Sequence, residues 1–405
     1  MQVPVSVAVP HRALATGLPS KARNLLAACL AHALHDGYTD SLYAFLPVWQ
    51  VQFRLSYAGL ALVRALYSGT MGGLQVPGVK LLRGLSPRAA LALSTFIAAA
   101  GFLLMALPLG FAGLCLGLVI AGVGSSIQHP RGSQLVTETY AAASRGPLGI
   151  YNFSGDLGKA TIPALAALLL PLLAWRPVAG LMALLGLATA TGLLVCAPSI
   201  SADAHGVVKK TTIGRGGKGF GLLTAIGGLD TATRMGYLLF LPFLLHGRGG
   251  TSATVGLGLA LLFVGGALGK ATCNWLGQHL GVVGSVIATE AATAMLIAAT
   301  LFTPLAAMLL ILPLLGIVLN GTSSVLYGTV PELAPDGNNA RAFAIFYISV
   351  IGSGGVAPIV YGAIADHSNQ TAGVLAAAGT AALIIPLVLA LRPALRSSED
   401  ATAAR

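Results

Sequence analysis

Apolar stretches of about twenty residues recur along the whole of this 405-residue chain, and they constrain its fold more than any motif does. At about 1.5 Å of rise per residue, a helix of that length crosses the roughly 30 Å hydrocarbon core of a bilayer. Twelve such stretches are read, at 25–49, 57–79, 88–107, 111–128, 146–170, 175–197, 220–245, 253–276, 282–302, 305–328, 340–364 and 371–391. Only 9% of the residues are charged, against about 25% in an ordinary soluble domain, and mean hydropathy is +0.83. The expected fold class is therefore an all-α polytopic membrane protein with twelve transmembrane helices.

A net charge of +11 would suggest a nucleic-acid partner for a soluble chain. Here the cations follow the positive-inside rule instead, and no nucleic-acid partner is expected. With the N-terminus in the cytoplasm, seventeen Lys and Arg fall on the inner side and only Arg54, Arg176 and Arg248 on the outer. That asymmetry predicts both termini in the cytoplasm. The first 24 residues lack an apolar core before Arg23 and read as a cytoplasmic segment, not a cleavable signal. Cys29, Cys115, Cys196 and Cys273 are isolated and read as small apolar fillers.

The chain repeats itself. Leu42-Tyr43-Ala44-Phe45-Leu46-Pro47 is echoed by Leu238-Leu239-Phe240-Leu241-Pro242, and Ser56 before span two matches Thr251 before span eight, each placed to cap a helix. Asp36 falls beside Asp230 and Asp40 beside Arg234, give or take one residue. The expected organisation is a cytoplasmic segment (1–24), an N-terminal six-helix half (25–197), a polar cytoplasmic linker (198–219), a C-terminal six-helix half (220–392) and a tail (393–405). Two six-span halves joined by a linker are the build of secondary transporters that bind at mid-membrane and rock.

Eight charges lie inside the spans: Asp36, Asp40, Arg64, Asp156, Lys159, Asp230, Arg234 and Glu290. Each costs about 2.5–3.5 kcal/mol at a helix centre, so each needs a partner or a wet cavity. His32, Asp36 and Asp40, at i, i+4 and i+8, stack on one helix face. Two carboxylates on adjacent turns resist double ionisation, and His32 is placed to relay a proton, which makes the three candidates for proton coupling. The competing reading pairs Asp36 permanently with Arg64, Lys159 or Arg234. Asp156 with Lys159 and Asp230 with Arg234 have the spacing of intrahelical ion pairs, functional or structural. Glu290 reads as a snorkelling or interfacial residue.

Arg64, Lys159 and Arg234 come from spans that can meet around one cavity and suit a small anion such as a phosphonate, phosphate ester or carboxylate. Neutralised by the acids, they would leave a mildly polar pocket for neutral solutes. Tyr43, Tyr151 and Asn152 are candidate linings, with helix packing as the alternative for the tyrosines. Arg83, Glu138, Arg145, Glu332 and Arg341 flank the inner ends of spans and are read as gate or loop ion pairs. His129-Pro130 is expected to end the fourth helix. No phosphate-binding loop occurs, and His32 with His35 are too few for a metal, so no cofactor, metal or enzymatic activity is expected.

Several motifs carry a resemblance. They are His32-x-x-x-Asp36 with Pro47-x-x-Gln50-x-x-Phe53-x-Leu55-Ser56, Gly122-x-Gly124-Ser125-Ser126-x-x-His129-Pro130-x-x-Ser133, Gly155-x-x-Gly158-x-x-x-x-Pro163, Pro331-Glu332-Leu333-x-Pro335 and Ala365-Asp366-His367. In order and at these spacings they resemble the fosmidomycin resistance family of bacterial efflux proteins, within the major facilitator superfamily. The resemblance implies proton-coupled drug efflux, by antiport, across the bacterial inner membrane. Taken with the charges, it leads to the expectation of a monomeric exporter of a small anionic compound whose partners are substrate, protons and the lipid bilayer. Uptake of an anionic metabolite by proton symport uses the same residues. A non-transporting receptor or a membrane-embedded enzyme is the remaining alternative, and it would need a signalling domain or a catalytic constellation.

Overall fold

The computed structural model describes residues 20–82, 84–196, 219–335 and 339–403. Within them the chain forms six long helices before the linker: α1 (Ser20–Phe53), α2 (Tyr57–Leu81), α3 (Pro87–Ala106), α4 (Gly110–Tyr140), α5 (Arg145–Leu169) and α6 (Trp175–Cys196). After it come α7 (Phe220–Gly247) and a continuous helical run, Ser252–Thr300, that breaks at Gly281 into α8 (252–280) and α9 (282–300). The last three are α10 (Leu305–Thr329), α11 (Asn339–His367) and α12 (Gln370–Ala403). Gly281 has φ 67° and ψ 177°, a conformation open essentially to glycine alone, so the chain turns there without an intervening loop.

Eight of the twelve helices are apolar and long enough to span a membrane on their own sequence. The four that fall short, α1, α2, α5 and α7, carry every predicted intramembrane charge except Glu290. Their hydropathy is low because polar groups face the protein interior. The caps expected at the repeat are present: Ser56 Oγ accepts from Gly59 N at 3.1 Å, and Thr251 Oγ1 accepts from Thr254 N at 3.3 Å.

Close helix approach follows from small residues, as expected where lipid gives little hydrophobic drive for helices to associate. A Cβ on Gly158 would lie 1.9 Å from the Ala33 carbonyl oxygen, so α5 meets the α1 backbone directly. One turn earlier, a Cβ on Gly155 would lie 2.5 Å from the Asp36 carboxylate. The Gly155-x-x-Gly158 motif thus sets the depth at which α1 presents His32 and Asp36.

The two halves meet tightly at the face that carries the α1–α2 loop. There Asp366, at the end of α11, accepts hydrogen bonds from the first two backbone N–H groups of α2, Tyr57 N at 2.8 Å and Ala58 N at 2.9 Å. A carboxylate on the positive end of a helix satisfies donors that have no partner within the helix. Beside it the Tyr57 ring packs edge-on to Phe243 at 5.1 Å and tilted to Phe240 at 5.4 Å. Gly256 of α8 sits against Ala164 and Ala167 of α5.

Two outcomes follow. Gly158→Ala is expected to cost about 1–3 kcal/mol through overpacking; an unchanged thermal midpoint in detergent would contradict the close approach. Asp366→Ala is expected to loosen the loop face and to speed maleimide labelling of an Ala58→Cys probe severalfold, whereas equal labelling rates would show that this cap does not hold the face closed.

Candidate functional site

Three elements converge on Asp36. On α1, His32, Asp36 and Asp40 are all buried. The Asp36 Oδ2 atom lies 3.4 Å from His32 Nε2 and 3.3 Å from Lys159 Nζ of α5, and its Oδ1 lies 3.8 Å from His129 Nε2 of α4. The His32 ring stacks on Tyr151 with centroids 4.0 Å apart, and His129 meets it edge-on at 5.5 Å. Tyr151 is held in turn by Gln128, whose Nε2 donates to its hydroxyl at 3.3 Å.

The hydrogen-bond roles say what this cluster holds. His32 Nδ1 lies 2.9 Å from the Tyr151 carbonyl oxygen, which can only accept, so Nδ1 carries a hydrogen. In a neutral ring Nε2 would then turn a lone pair toward the Asp36 carboxylate.

His129 was not expected here. The prediction that His129-Pro130 ends the helix is corrected: α4 continues through Pro130 to Tyr140. Pro130 offers no N–H to the Ser126 carbonyl one turn back, a loss that a helix packed inside a bundle tolerates. Beyond it Ser133 Oγ bonds back to the carbonyls of His129 at 3.0 Å and Pro130 at 3.2 Å. His32, Asp36 and His129 bring three possible ligand atoms within 4.8 Å of one another, a grouping that sequence did not offer because His129 comes from another helix. Lys159 already holds the same carboxylate and would repel a dication. His35 is committed elsewhere, Nδ1 to Ser125 Oγ at 2.8 Å and Nε2 to Thr95 Oγ1 at 3.2 Å.

Lys159 connects this cluster to the other half. It reaches Asp156 at 4.0 Å, while Asp156 takes its tight bonds from Lys270 of α8, at 2.6 and 2.8 Å. The expected Asp156–Lys159 pair is thus the weaker of two contacts. Lys270, a half-exposed side chain on α8, ten residues before that helix ends at Gly281, reaches across to α5. The result is an alternating chain, Asp36–Lys159–Asp156–Lys270, that passes from α1 through α5 to α8.

One cavity opens beside that chain, lined by Asp156, Lys159, Arg234, Lys270, Asn320 and Ser323 with Phe263 and Gly266. Arg234 Nη1 donates to Asn320 Oδ1 at 3.5 Å, and among the described residues its buried Nε finds no partner. Arg64 stays apart, buried with its guanidinium 4.2 Å over the Tyr43 ring, so Lys270 occupies the third cationic place predicted for it. Asp40 lies within electrostatic reach of Lys159, Arg64 and Arg234.

The remaining candidates are dispersed. Tyr43 is fully buried against Arg64 and Met235, and Asn152 is exposed. Glu138 accepts from Gln134 Nε2 at 2.6 Å, within α4. Glu332 and Arg341 flank the α10–α11 connection; Arg83 and the Arg145 side chain lie outside the described residues. Asp230 forms no described ion pair with Arg234, although i, i+4 spacing allows one. It meets Glu290 instead, and Glu290, expected at an interface, is only 2% exposed. Glu290 projects from α9 into the bundle, and a lone acid in an apolar span carries no local signal of that direction.

Comparison with known proteins agrees with the architecture. Residues 28–217 match the family model described as Major Facilitator Superfamily. No curated protein sequence matches the chain. Among solved structures it is similar to a bacterial homologue of the human lysosomal transporter Spinster, inward-facing and occupied. The identity is 13%, the match covers 94% of this chain and 99% of that one, and the TM-score is 0.74. It is also similar to the nucleoside transporter NupG (15% identity, 92% and 100% covered, TM-score 0.75). A third likeness is to a POT family transporter in complex with 5-aminolevulinic acid (13% identity, 92% and 96% covered, TM-score 0.76). At these identities the likeness is one of fold: the chain has the major facilitator fold, a multi-pass membrane architecture.

The bridge between the halves is open to a double-mutant cycle. With the Lys270 side chain 43% exposed, Asp156→Ala and Lys270→Ala are expected to show a coupling of about 1 kcal/mol in thermal stability. Strictly additive effects would mean that the pair adds nothing to the contact.

Proposed function

We propose that this protein is a proton-coupled secondary transporter of the bacterial cytoplasmic membrane, with both termini in the cytoplasm, exporting a small anionic organic compound by alternating access. The observation that carries this reading is the chain Asp36–Lys159–Asp156–Lys270, which joins a proton-holding cluster to a cationic cavity and to a bridge between the halves. Each group has a role that follows from its partners.

Protonation at Asp36 and His32 weakens the hold of Asp36 on Lys159. The freed ammonium then turns toward Asp156 and the cavity. An anion entering the cavity is met by Lys159, Lys270 and Arg234, and competes with Asp156 for the two ammonium groups. Occupancy therefore loosens the Asp156–Lys270 bridge between α5 and α8, while its loss restores it. Proton and anion favour different arrangements of the same cations, and a difference in preferred state is what coupling requires. The orientation draws on the asymmetry of Lys and Arg, and the export direction and phosphonate-like class on the family resemblance.

The test uses purified protein in proteoliposomes and a panel of phosphonates, phosphate esters and carboxylates. Under an imposed proton gradient, Asp36→Asn is expected to lose uphill transport more than tenfold while keeping substrate counterflow. Uphill transport at the wild-type rate would remove Asp36 from the coupling mechanism.

A further inference from the structure

The two halves are related by an offset of 195 residues, the separation of the helix caps Ser56 and Thr251. The same offset carries His35 onto Asp230 and Thr95 onto Glu290. In the N-terminal half the His35 ring bonds Thr95 Oγ1 at 3.2 Å and Ser125 Oγ at 2.8 Å, tying α1 to α3 and α4 with neutral groups. In the C-terminal half the corresponding place holds two carboxyl groups. Asp230 of α7 and Glu290 of α9 lie beside each other, and Glu290 lies next to the Thr322 hydroxyl of α10. Thr322 Oγ1 in turn donates to Thr289 Oγ1 at 2.8 Å. Neither acid is more than 3% exposed.

A carboxylate only accepts, so two carboxyl groups can hydrogen-bond each other only through a proton on one of them. The charged and titratable groups facing the pair are Arg234 on α7, the Cys273 thiol on α8 and Tyr327 on α10. One cation stands against two acids, and it is turned toward Asn320. One shared proton makes the balance neutral in a site sealed from water.

We propose that Asp230 and Glu290 form a second proton-binding site, a carboxyl pair holding one shared proton in the C-terminal half. It is separate from the Asp36 cluster and requires neither a direction of transport nor a role for Asp36. Arg234 stands between the pair and the cationic cavity. A swing of its guanidinium from Asn320 to Asp230, one helical turn away, would supply the charge that expels the proton.

The experiment is infrared spectroscopy of the purified protein at neutral pH, reading the carboxylic-acid C=O band apart from carboxylate bands. Glu290→Gln and Asp230→Asn are each expected to abolish one carboxylic-acid band, since the remaining acid then sits beside an amide donor and Arg234 and ionises. Asp36→Asn is expected to leave that band in place, which keeps failure here distinct from failure of the coupling cluster. Should a single variant not fold, Asp230→His with Glu290→Thr recreates the neutral pair of the other half and must remove the same band. If the variants remove only carboxylate bands, both acids are ionised and the proposal is wrong.

Discussion

The cost of a charge in the membrane interior governs the arrangement of this protein. Each unpaired intramembrane charge is worth about 2.5–3.5 kcal/mol against insertion, comparable to a sizeable share of a protein's net stability. The protein meets that cost with an alternating chain of acids and ammonium groups. Asp36 rests on Lys159, Lys159 on Asp156, and Asp156 on Lys270. Because neighbouring members of the chain share partners, a proton or an anion added at one position changes what the next position prefers. On the proposed function, this structural solution to desolvation is also the means by which the helices communicate.

Glycine makes that chain geometrically possible. Gly155 and Gly158 let α5 press against α1 until backbone meets backbone, and this brings Lys159 to Asp36. At the loop face a different device holds the halves together, the Asp366 carboxylate on the N-terminus of α2, which uses backbone dipoles in place of a cationic side chain. The two halves share a fold but not their buried chemistry. Where one places His35 against Thr95, the other places Asp230 beside Glu290.

Much of the architecture was legible in the sequence, because spanning length and capping are local. The helix starts at Ser56 and Thr251 follow from side-chain caps that need only three residues of context. The stack of His32, Asp36 and Asp40 follows from helical spacing alone. The partnership of Lys270 with Asp156 was not legible, because the two lie 114 residues apart and no local spacing joins them. His129 was missed because Pro130 mimics a helix stop, whereas α4 continues through it to Tyr140.

By itself, then, the sequence determined the number of spans, the repeat, the caps and the set of charges that must be buried, since each depends on residue type and short-range spacing. Which charge meets which was decided only in the tertiary structure. Asp156 and Lys270 are 114 residues apart, and Asp36 and Lys159 come from different helices. Within a helix, spacing offers Asp156 to Lys159 and Asp230 to Arg234. In the folded bundle, close approach of α5 to α8 and of α7 to α9 offers stronger or nearer partners, and desolvation makes the nearest partner the one that counts.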